Sequence, residues 1–97
     1  MAKAELYNIY LKHKPSVTAE EVKKQMDLSL DWYKYADQCW IVETTSTPEK
    51  WLTRLKPLAE PGGFLFICKI DASVRQGWMA TSFWEWLKPK AEKKKSS

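Results

Sequence analysis

The 97-residue sequence predicts an α+β domain in which strands and helices follow the order β-α-β-β-α-β. Two capped helix starts, at Thr18 and Thr47, each lie between segments rich in β-branched and aromatic residues. Residues 36–38 separate two of these segments by the length of a hairpin loop. A largely apolar run at residues 64–70 completes the pattern, because a strand with two apolar faces is typical of a covered sheet.

The first strand and the first helix lie in the N-terminal third of the chain. Residues 5–11 are mostly aliphatic and aromatic, and alternate positions give the predicted strand one strongly apolar face. Thr18 and Glu21 have the spacing of a capping box, in which each side chain accepts a hydrogen bond from the other residue's backbone amide. Apolar residues spaced four apart then predict a helix over about residues 19–30.

The second and third strands are predicted at residues 32–35 and 39–43, followed by the second helix. Thr47 is its N-cap, and Pro48 occupies the first helical position, where a missing amide costs nothing. Pro57 cannot donate the hydrogen bond that an interior helical residue makes. We therefore expect this helix to end or kink near residue 56.

The last strand and a C-terminal segment follow a turn at residues 61–63. The strand covers residues 64–70 and is apolar on both faces. A second capping-box spacing, from Ser82 to Glu85, predicts a short helix or turn that ends near Leu87. The C-terminal segment is rich in tryptophan, with three of the six tryptophans of the chain.

Together these elements predict the ferredoxin-like split βαβ fold, a four-stranded antiparallel sheet with two helices on one face. The other face is expected to be open. Because a contiguous apolar patch is rarely left in water, such a face predicts a homodimer. The residues expected at its interface are aromatic, namely Trp40, Phe64, Phe66, Trp78, Trp84 and Trp86.

Size and charge predict one folded domain, residues 1–88, followed by a basic flexible tail, residues 89–97. The last ten residues carry five lysines and one glutamate, which accounts for the whole formal net charge of +4 and leaves residues 1–87 neutral. No apolar run approaches the roughly 20 residues of a membrane helix, and the N-terminus lacks the layout of a signal peptide. We therefore expect a soluble cytoplasmic protein that does not interact with membranes.

The sequence offers few residues for catalysis. One histidine and two cysteines are too few for a structural zinc site, so we expect neither a metal nor a cofactor. His13 lies between two lysines, and we interpret it as a solvated loop residue. Cys39 and Cys68 fall on predicted strands, where free cysteines behave as small buried hydrophobes. No phosphate-binding glycine loop or nucleophile elbow occurs in the sequence.

Basic residues beside aromatic ones provide a candidate surface for nucleic acid, since lysines contact phosphates and aromatic rings stack on bases. An alternative interpretation of the aromatic residues 32–35 is that their rings cover the core and the dimer seam. The candidate nucleic-acid-binding residues are Lys12, His13, Lys14, Trp32, Lys34, Lys93, Lys94 and Lys95.

Four segments carry a resemblance to a known family: residues 30–42, which end in Trp-Ile-Val, and residues 51–56, 63–70 and 76–78. Together they resemble the CRISPR-associated protein two (Cas-two-like) superfamily, most closely its uncharacterised small bacterial proteins labelled "SinR-family". The resemblance covers roughly residues 28–87 and is a pattern of apolar and aromatic residues.

The resemblance implies a homodimer of ferredoxin-like domains that binds nucleic acid, with metal-dependent nuclease activity in some members. The active members hold the metal on an aspartate at the end of the first strand, and here Leu11 occupies that position. Since a hard cation needs an anionic oxygen ligand, we expect no nuclease activity and interpret the chain as a weak nucleic-acid-associated or regulatory binding protein.

Two alternatives remain open at this point. One is a metal-dependent endonuclease whose acidic site has moved, with Glu5, Asp31, Asp37 and Asp71 as the nearest acids. The other is a protein-interaction adaptor of a phage-defence, toxin–antitoxin or mobile-element system. Nothing in the sequence distinguishes DNA from RNA as a partner.

Overall fold

The fold follows the predicted order, with one long helix added at the C-terminus. The computed structural model of the chain describes residues 3–95, with side chains described from residue 3 to residue 91. The elements are β1 (Glu5–Lys12), α1 (Ala19–Met26), β2 (Asp31–Ala36), β3 (Cys39–Thr44), α2 (Pro48–Ala59), β4 (Phe64–Ile70) and α3 (Thr81–Lys95).

The four strands form one antiparallel sheet in the order β2-β3-β1-β4. The predicted α+β class and the four-stranded antiparallel sheet are therefore confirmed. The helix α1 connects β1 to β2, which lie on either side of β3, and α2 connects β3 to β4, which lie on either side of β1. The strands β2 and β4 are the two edges of the sheet.

The predicted caps at Thr18 and Thr47 form as expected, whereas Ser82, the third predicted cap, lies inside α3, which begins at Thr81. The amide of Glu21 donates to the Thr18 hydroxyl over 3.2 Å, and the amide of Thr18 donates to the Glu21 carboxylate over 3.4 Å. At α2 the amide of Lys50 donates to the Thr47 hydroxyl over 3.1 Å. Each cap satisfies an amide that has no partner inside its helix, which is why both start positions could be predicted locally.

Both helices end at positions different from those predicted. The helix α1 stops at Met26 because the Ser29 hydroxyl donates to the Met26 carbonyl and the Leu30 amide already donates to the Glu43 carbonyl of β3. In contrast, α2 continues through Pro57 to Ala59. Pro57 is exposed on the solvent side of α2, so water can satisfy the carbonyl that the proline leaves without a partner.

The main core lies on one face of the sheet, called here the helix face, under α1 and α2. Alternate residues of β1 contribute to it, and Val22 and Met26 of α1 meet Trp51 and Leu55 of α2 there. Trp40 of β3 belongs to this core and is only 6% exposed. The prediction that Trp40 lies at a dimer interface is therefore not supported, since its ring is already covered within one chain.

The opposite face, called here the α3 face, is partly covered rather than open. Leu6 and Ile41 of the sheet pack there against Phe83, Leu87 and Ala91 of α3. The short helix predicted to end near Leu87 is thus too short, because α3 continues to Lys95 with Pro89 inside it.

The domain boundary expected after residue 88 falls inside α3. Ala91 is buried against the sheet, and the Lys90 ammonium lies 3.0 Å from the Asp31 carboxylate at the start of β2. Lys93, Lys94 and Lys95 form the last turn of α3, and their side chains lie outside the described part of the chain. None of the helices in residues 3–95 is both long enough and apolar enough to cross a bilayer.

Candidate functional site

A groove of about 190 Å³ opens on the helix face between α1 and the β2–β3 hairpin. We call it the Trp32 groove. It brings together three of the predicted nucleic-acid-binding residues, His13, Trp32 and Lys34, and adds two that the sequence analysis did not select, Lys23 and Trp40. The full lining is His13, Ala19, Val22, Lys23, Trp32, Lys34 and Trp40.

Strand alternation decides which aromatic residues reach the groove. Trp32 and Lys34 of β2 share one sheet face, and they pair across the hairpin with residues of β3 that face the main core. Tyr33 and Tyr35 point to the α3 face, where they pack against Phe83. The aromatic cluster of residues 32–35 therefore splits: Trp32 lines the groove, and the two tyrosines cover the α3 side of the sheet.

The Trp32 ring is held in place from the end of α1. Its indole N–H donates to an Asp27 carboxylate oxygen over 2.8 Å, and the other oxygen of Asp27 accepts from Lys23 over 2.9 Å. These bonds, that of Lys23 first, hold the pKa of Asp27 below its usual value. The hydrogen bond occupies the edge of the indole, so it fixes the ring without using its π faces.

The charge around the groove is positive. The Lys34 ammonium lies 5.2 Å from the centre of the Trp40 ring, at cation–π distance, and makes no salt bridge within the described residues. The Nδ1 atom of His13 donates to the Lys14 carbonyl over 2.9 Å, which leaves Nε2 outside this bond. No carboxylate lines the groove. An aromatic cavity with a cationic rim is suited to a flat group that carries a negative charge.

The other predicted basic residues do not join this site. Lys12 is exposed and pairs with Phe64 across the sheet, so it lies on the α3 face, opposite the side of His13. The Lys14 amide donates to the Leu58 carbonyl, which ties this segment to the end of α2. The run Lys12-His13-Lys14 is therefore not one cluster, because neighbouring residues of an extended segment point in opposite directions.

A second exposed surface runs along the α3 face of β4. Phe64 and Phe66 are 64% and 60% exposed, and Cys68 follows them in the same row. The prediction that both cysteines are buried is wrong for Cys68, which is exposed, while Cys39 is half-buried. In the loop between β4 and α3, Trp78 is 99% exposed.

Trp84 and Trp86, also predicted at the dimer interface, are engaged within the chain instead. Trp84 packs edge-on against Phe83, with ring centres 5.2 Å apart. The Trp86 indole N–H donates to Asp31 over 3.0 Å, and the Lys90 ammonium lies over the Trp86 ring at 4.2 Å. Trp86 thus fastens α3 to the sheet, whereas the ring contact of Trp84 is with its neighbour in the same helix.

Three of the four acids considered as displaced metal ligands have other partners. The Asp31 carboxylate accepts hydrogen bonds from Trp86 and Lys90. Burial raises the pKa of Asp31, but the Lys90 hydrogen bond, the hydrogen bond from the Trp32 amide and the Lys90 charge outweigh this effect. The pKa of Asp31 is therefore below its usual value. Glu5 lies 3.6 Å from the Lys69 ammonium, and Asp71 accepts from the Ser73 amide. Among the described residues, no group of three or more histidine, cysteine or acidic side chains could hold a metal ion.

Leu11, which the resemblance aligns with a metal-binding aspartate, is fully buried in the main core. A carboxylate at this position would lie among aliphatic side chains, where ionisation is costly.

Comparisons of the chain with protein-family models, curated proteins and solved structures find no match. The candidate function therefore rests on the residues of this chain.

Lys23, which lines the groove, and Asp27, which accepts from the Trp32 indole beside it, are two residues of the site that the sequence analysis did not select. A signal for them exists in the sequence. Their spacing of four residues on a helix predicts an ion pair, and Trp32 follows shortly after the helix end. The sequence does not predict that the chain reverses direction after α1 and brings Trp32 of β2 beside that pair.

Proposed function

We propose that this chain is a non-enzymatic, Cas-two-like binding protein that forms homodimers and associates weakly with nucleic acid through the Trp32 groove. The groove carries the proposal, because it joins an aromatic wall to the Lys34 ammonium, which makes no salt bridge within the described residues. Bases stack on aromatic rings and phosphates attract lysine, so the two features together suit a nucleotide chain.

The strand order supports a ferredoxin-like fold. Both β1 and β2 run antiparallel to β3, so they are parallel to each other, with α1 as their crossover connection. The same relation holds for β3 and β4 on either side of β1, with α2 as the connection. Two such interleaved units with both helices in one core make up the split βαβ arrangement.

Weak and non-specific binding is proposed because the charge balance limits the electrostatic contribution. Residues 1–87 are neutral, and the excess of positive charge belongs to the last ten residues. Few phosphates can be neutralised at the groove, so the dependence of affinity on salt should be shallow.

We expect Trp32→Leu and Lys34→Gln each to weaken binding of a short single-stranded oligonucleotide, the tryptophan change by about 10-fold. Loss of one stacking contact is worth about 1–3 kcal/mol, which exceeds the loss of one phosphate contact. Fluorescence anisotropy of a labelled oligonucleotide at low salt measures the affinity of both variants. Lys50→Gln, the same charge change at an exposed residue of α2, is the matched control and should have little effect.

The C-terminal lysines are best tested by the triple change Lys93→Gln, Lys94→Gln and Lys95→Gln. Deleting residues 89–97 would also remove Lys90 and Ala91, which pack on the sheet. If the triple variant loses most of the affinity while Trp32→Leu keeps it, the groove proposal is wrong and the C-terminal lysines carry the binding. If the unaltered chain binds neither DNA nor RNA, the protein-interaction adaptor becomes the better proposal.

The homodimer is proposed through the exposed aromatic surface on the β4 side. A buried aromatic side chain removes about 150–250 Å² from water. Phe64, Phe66 and Trp78, at their observed exposures, would thus contribute roughly 500 Å² of the about 800 Å² that each partner buries in a standard interface.

We expect the double change Phe64→Ser and Phe66→Ser to convert a dimer, of twice the 11.4 kDa chain mass, into a monomer. Light scattering coupled to size exclusion gives the mass directly. Leu28→Ser, at another exposed apolar residue on the helix side, should leave the dimer intact. A monomeric mass for the unaltered chain at high micromolar concentration would rule out the interface.

A further inference from the structure

We infer that the Trp32 groove holds one unpaired nucleobase at a time, so that the chain prefers single strands to duplexes and reads no particular base. This inference rests on the proposed nucleic-acid binding and specifies the substrate of that site. Three features of the groove support it: its size, the way its aromatic wall is fixed, and the side-chain types of its lining.

The size of the groove limits what can enter. Pockets for drug-sized ligands have volumes of about 300–1,000 Å³, whereas the Trp32 groove has about 190 Å³. It therefore admits a single flat ring system and leaves the sugar and phosphate outside. The side chains of Lys34 and His13 lie at the rim and are the groups available to a phosphate attached there.

The aromatic wall is in place before a ligand binds. Asp27 holds the edge of Trp32, and Asp27 is itself held by Lys23. The buried Trp40 ring forms a second apolar surface in the groove. A base inside a duplex is stacked on both faces and must leave the stack before it can meet such a wall. An unpaired base does not carry this cost.

The lining contains no side-chain amide, hydroxyl or carboxylate that could read the edge of a base. Reading a base requires side-chain or backbone donors and acceptors at its edges. The seven lining residues include no asparagine, glutamine, serine, threonine, aspartate or glutamate, and their side-chain polar atoms are the nitrogen atoms of His13, Lys23, Trp32, Lys34 and Trp40. The groove thus binds the face of a base and is tolerant of its identity.

The test compares three probes of equal length with the full chain: a single-stranded oligonucleotide, the matching duplex, and a strand with the same phosphates but abasic sites throughout. We expect the base-containing single strand to bind about 10-fold more tightly than either of the others. Trp32→Leu should reduce the affinity for the base-containing single strand to that for the abasic strand. The affinities for the duplex and for the abasic strand should not change. Mixed, all-pyrimidine and purine-rich single strands should differ by only a few-fold.

Asp27→Ala provides a second variant, because it frees the Trp32 ring without removing it. We expect this change to lower the ratio of single-strand affinity to duplex affinity several-fold. A general loss of structure would weaken the binding of both probes and would not change this ratio selectively. Equal binding of all three probes by the unaltered chain would overturn the single-base inference and leave nucleic-acid binding intact. Failure of all three probes to bind would overturn both.

Discussion

Replacing Trp51 with alanine should cost about 3–5 kcal/mol of the free energy of unfolding, the range for deletion of a large buried aromatic side chain. Trp51 is fully buried at the centre of the main core. Its indole N–H donates to the Thr44 hydroxyl over 3.2 Å, and the Arg54 guanidinium lies over its ring at 4.8 Å. The change therefore creates a cavity and removes a buried hydrogen bond together.

The size of this effect matters because a domain of this length is stabilised by only about 5–15 kcal/mol in total. Urea unfolding followed by circular dichroism measures the loss. Leu52→Ala, at the exposed neighbouring residue, should change stability by less than about 1 kcal/mol. Trp51→Phe should fall between the two, since it keeps most of the apolar volume and loses the hydrogen bond to Thr44. A Trp51→Ala loss no larger than that of Leu52→Ala would mean that this core is not the one that holds the domain together.

The elements that local chemistry determines were predicted well. The caps at Thr18 and Thr47 form because each threonine hydroxyl lies within four residues of the backbone amide that donates to it. The hairpin and the apolar run of β4 depend on spacing and composition in the same way. The end of α1 was misplaced because its stop depends on a long-range hydrogen bond, from the Leu30 amide to the Glu43 carbonyl.

The long α3 helix could not be predicted in the same way. Its last residues are mostly lysine and give no apolar stripe, and Pro89 suggests a helix end. The helix is held instead by contacts with residues far away in the chain. Lys90 pairs with Asp31, and the Tyr33 hydroxyl lies 2.7 Å from that of Ser82. These partners are about 50 residues apart in sequence, and only the fold brings them together.

The candidate site was predicted in part. Composition and spacing selected His13, Trp32 and Lys34, and the groove contains all three. Period-two alternation in β2 already separates Trp32 and Lys34 from Tyr33 and Tyr35, so that division was readable from the sequence. The assembly with Lys23 and Trp40 depends on where α1 packs relative to the hairpin, which no local pattern determines.

The strand β2 thus serves two purposes, one on each face. Its residues on the helix face line the groove, and its residues on the α3 face pack against α3. This division has a consequence for stability, because the aromatic contacts under α3 are separate from the main core. The α3 cluster and the main core share no buried side chain. A change that affects one of them can leave the other folded.

Phe83→Ala should therefore release α3 from the sheet while the main core stays folded. The Phe83 ring is buried and lies 5.5 Å from Tyr33, 6.1 Å from Tyr35 and 5.2 Å from Trp84, between ring centres. Deleting a phenylalanine in such a setting costs about 3–5 kcal/mol. The contacts of α3 that remain are those of Leu87, Ala91 and Trp86 with the sheet and the Asp31–Lys90 pair, which is partly exposed and worth about 1 kcal/mol or less.

Hydrogen exchange measures this separation residue by residue, since local opening is reported by the amides of the segment that opens. In the Phe83→Ala variant, amides of α3 should lose most of their protection, and amides of α2 should keep theirs. Glu85→Ala, at an exposed position of the same helix, should leave both unchanged. If α2 and α3 lose protection equally, the two faces of the sheet form one cooperative unit. In that case the Trp32 groove would also depend on α3, and Phe83→Ala would weaken nucleic-acid binding as much as Trp32→Leu does.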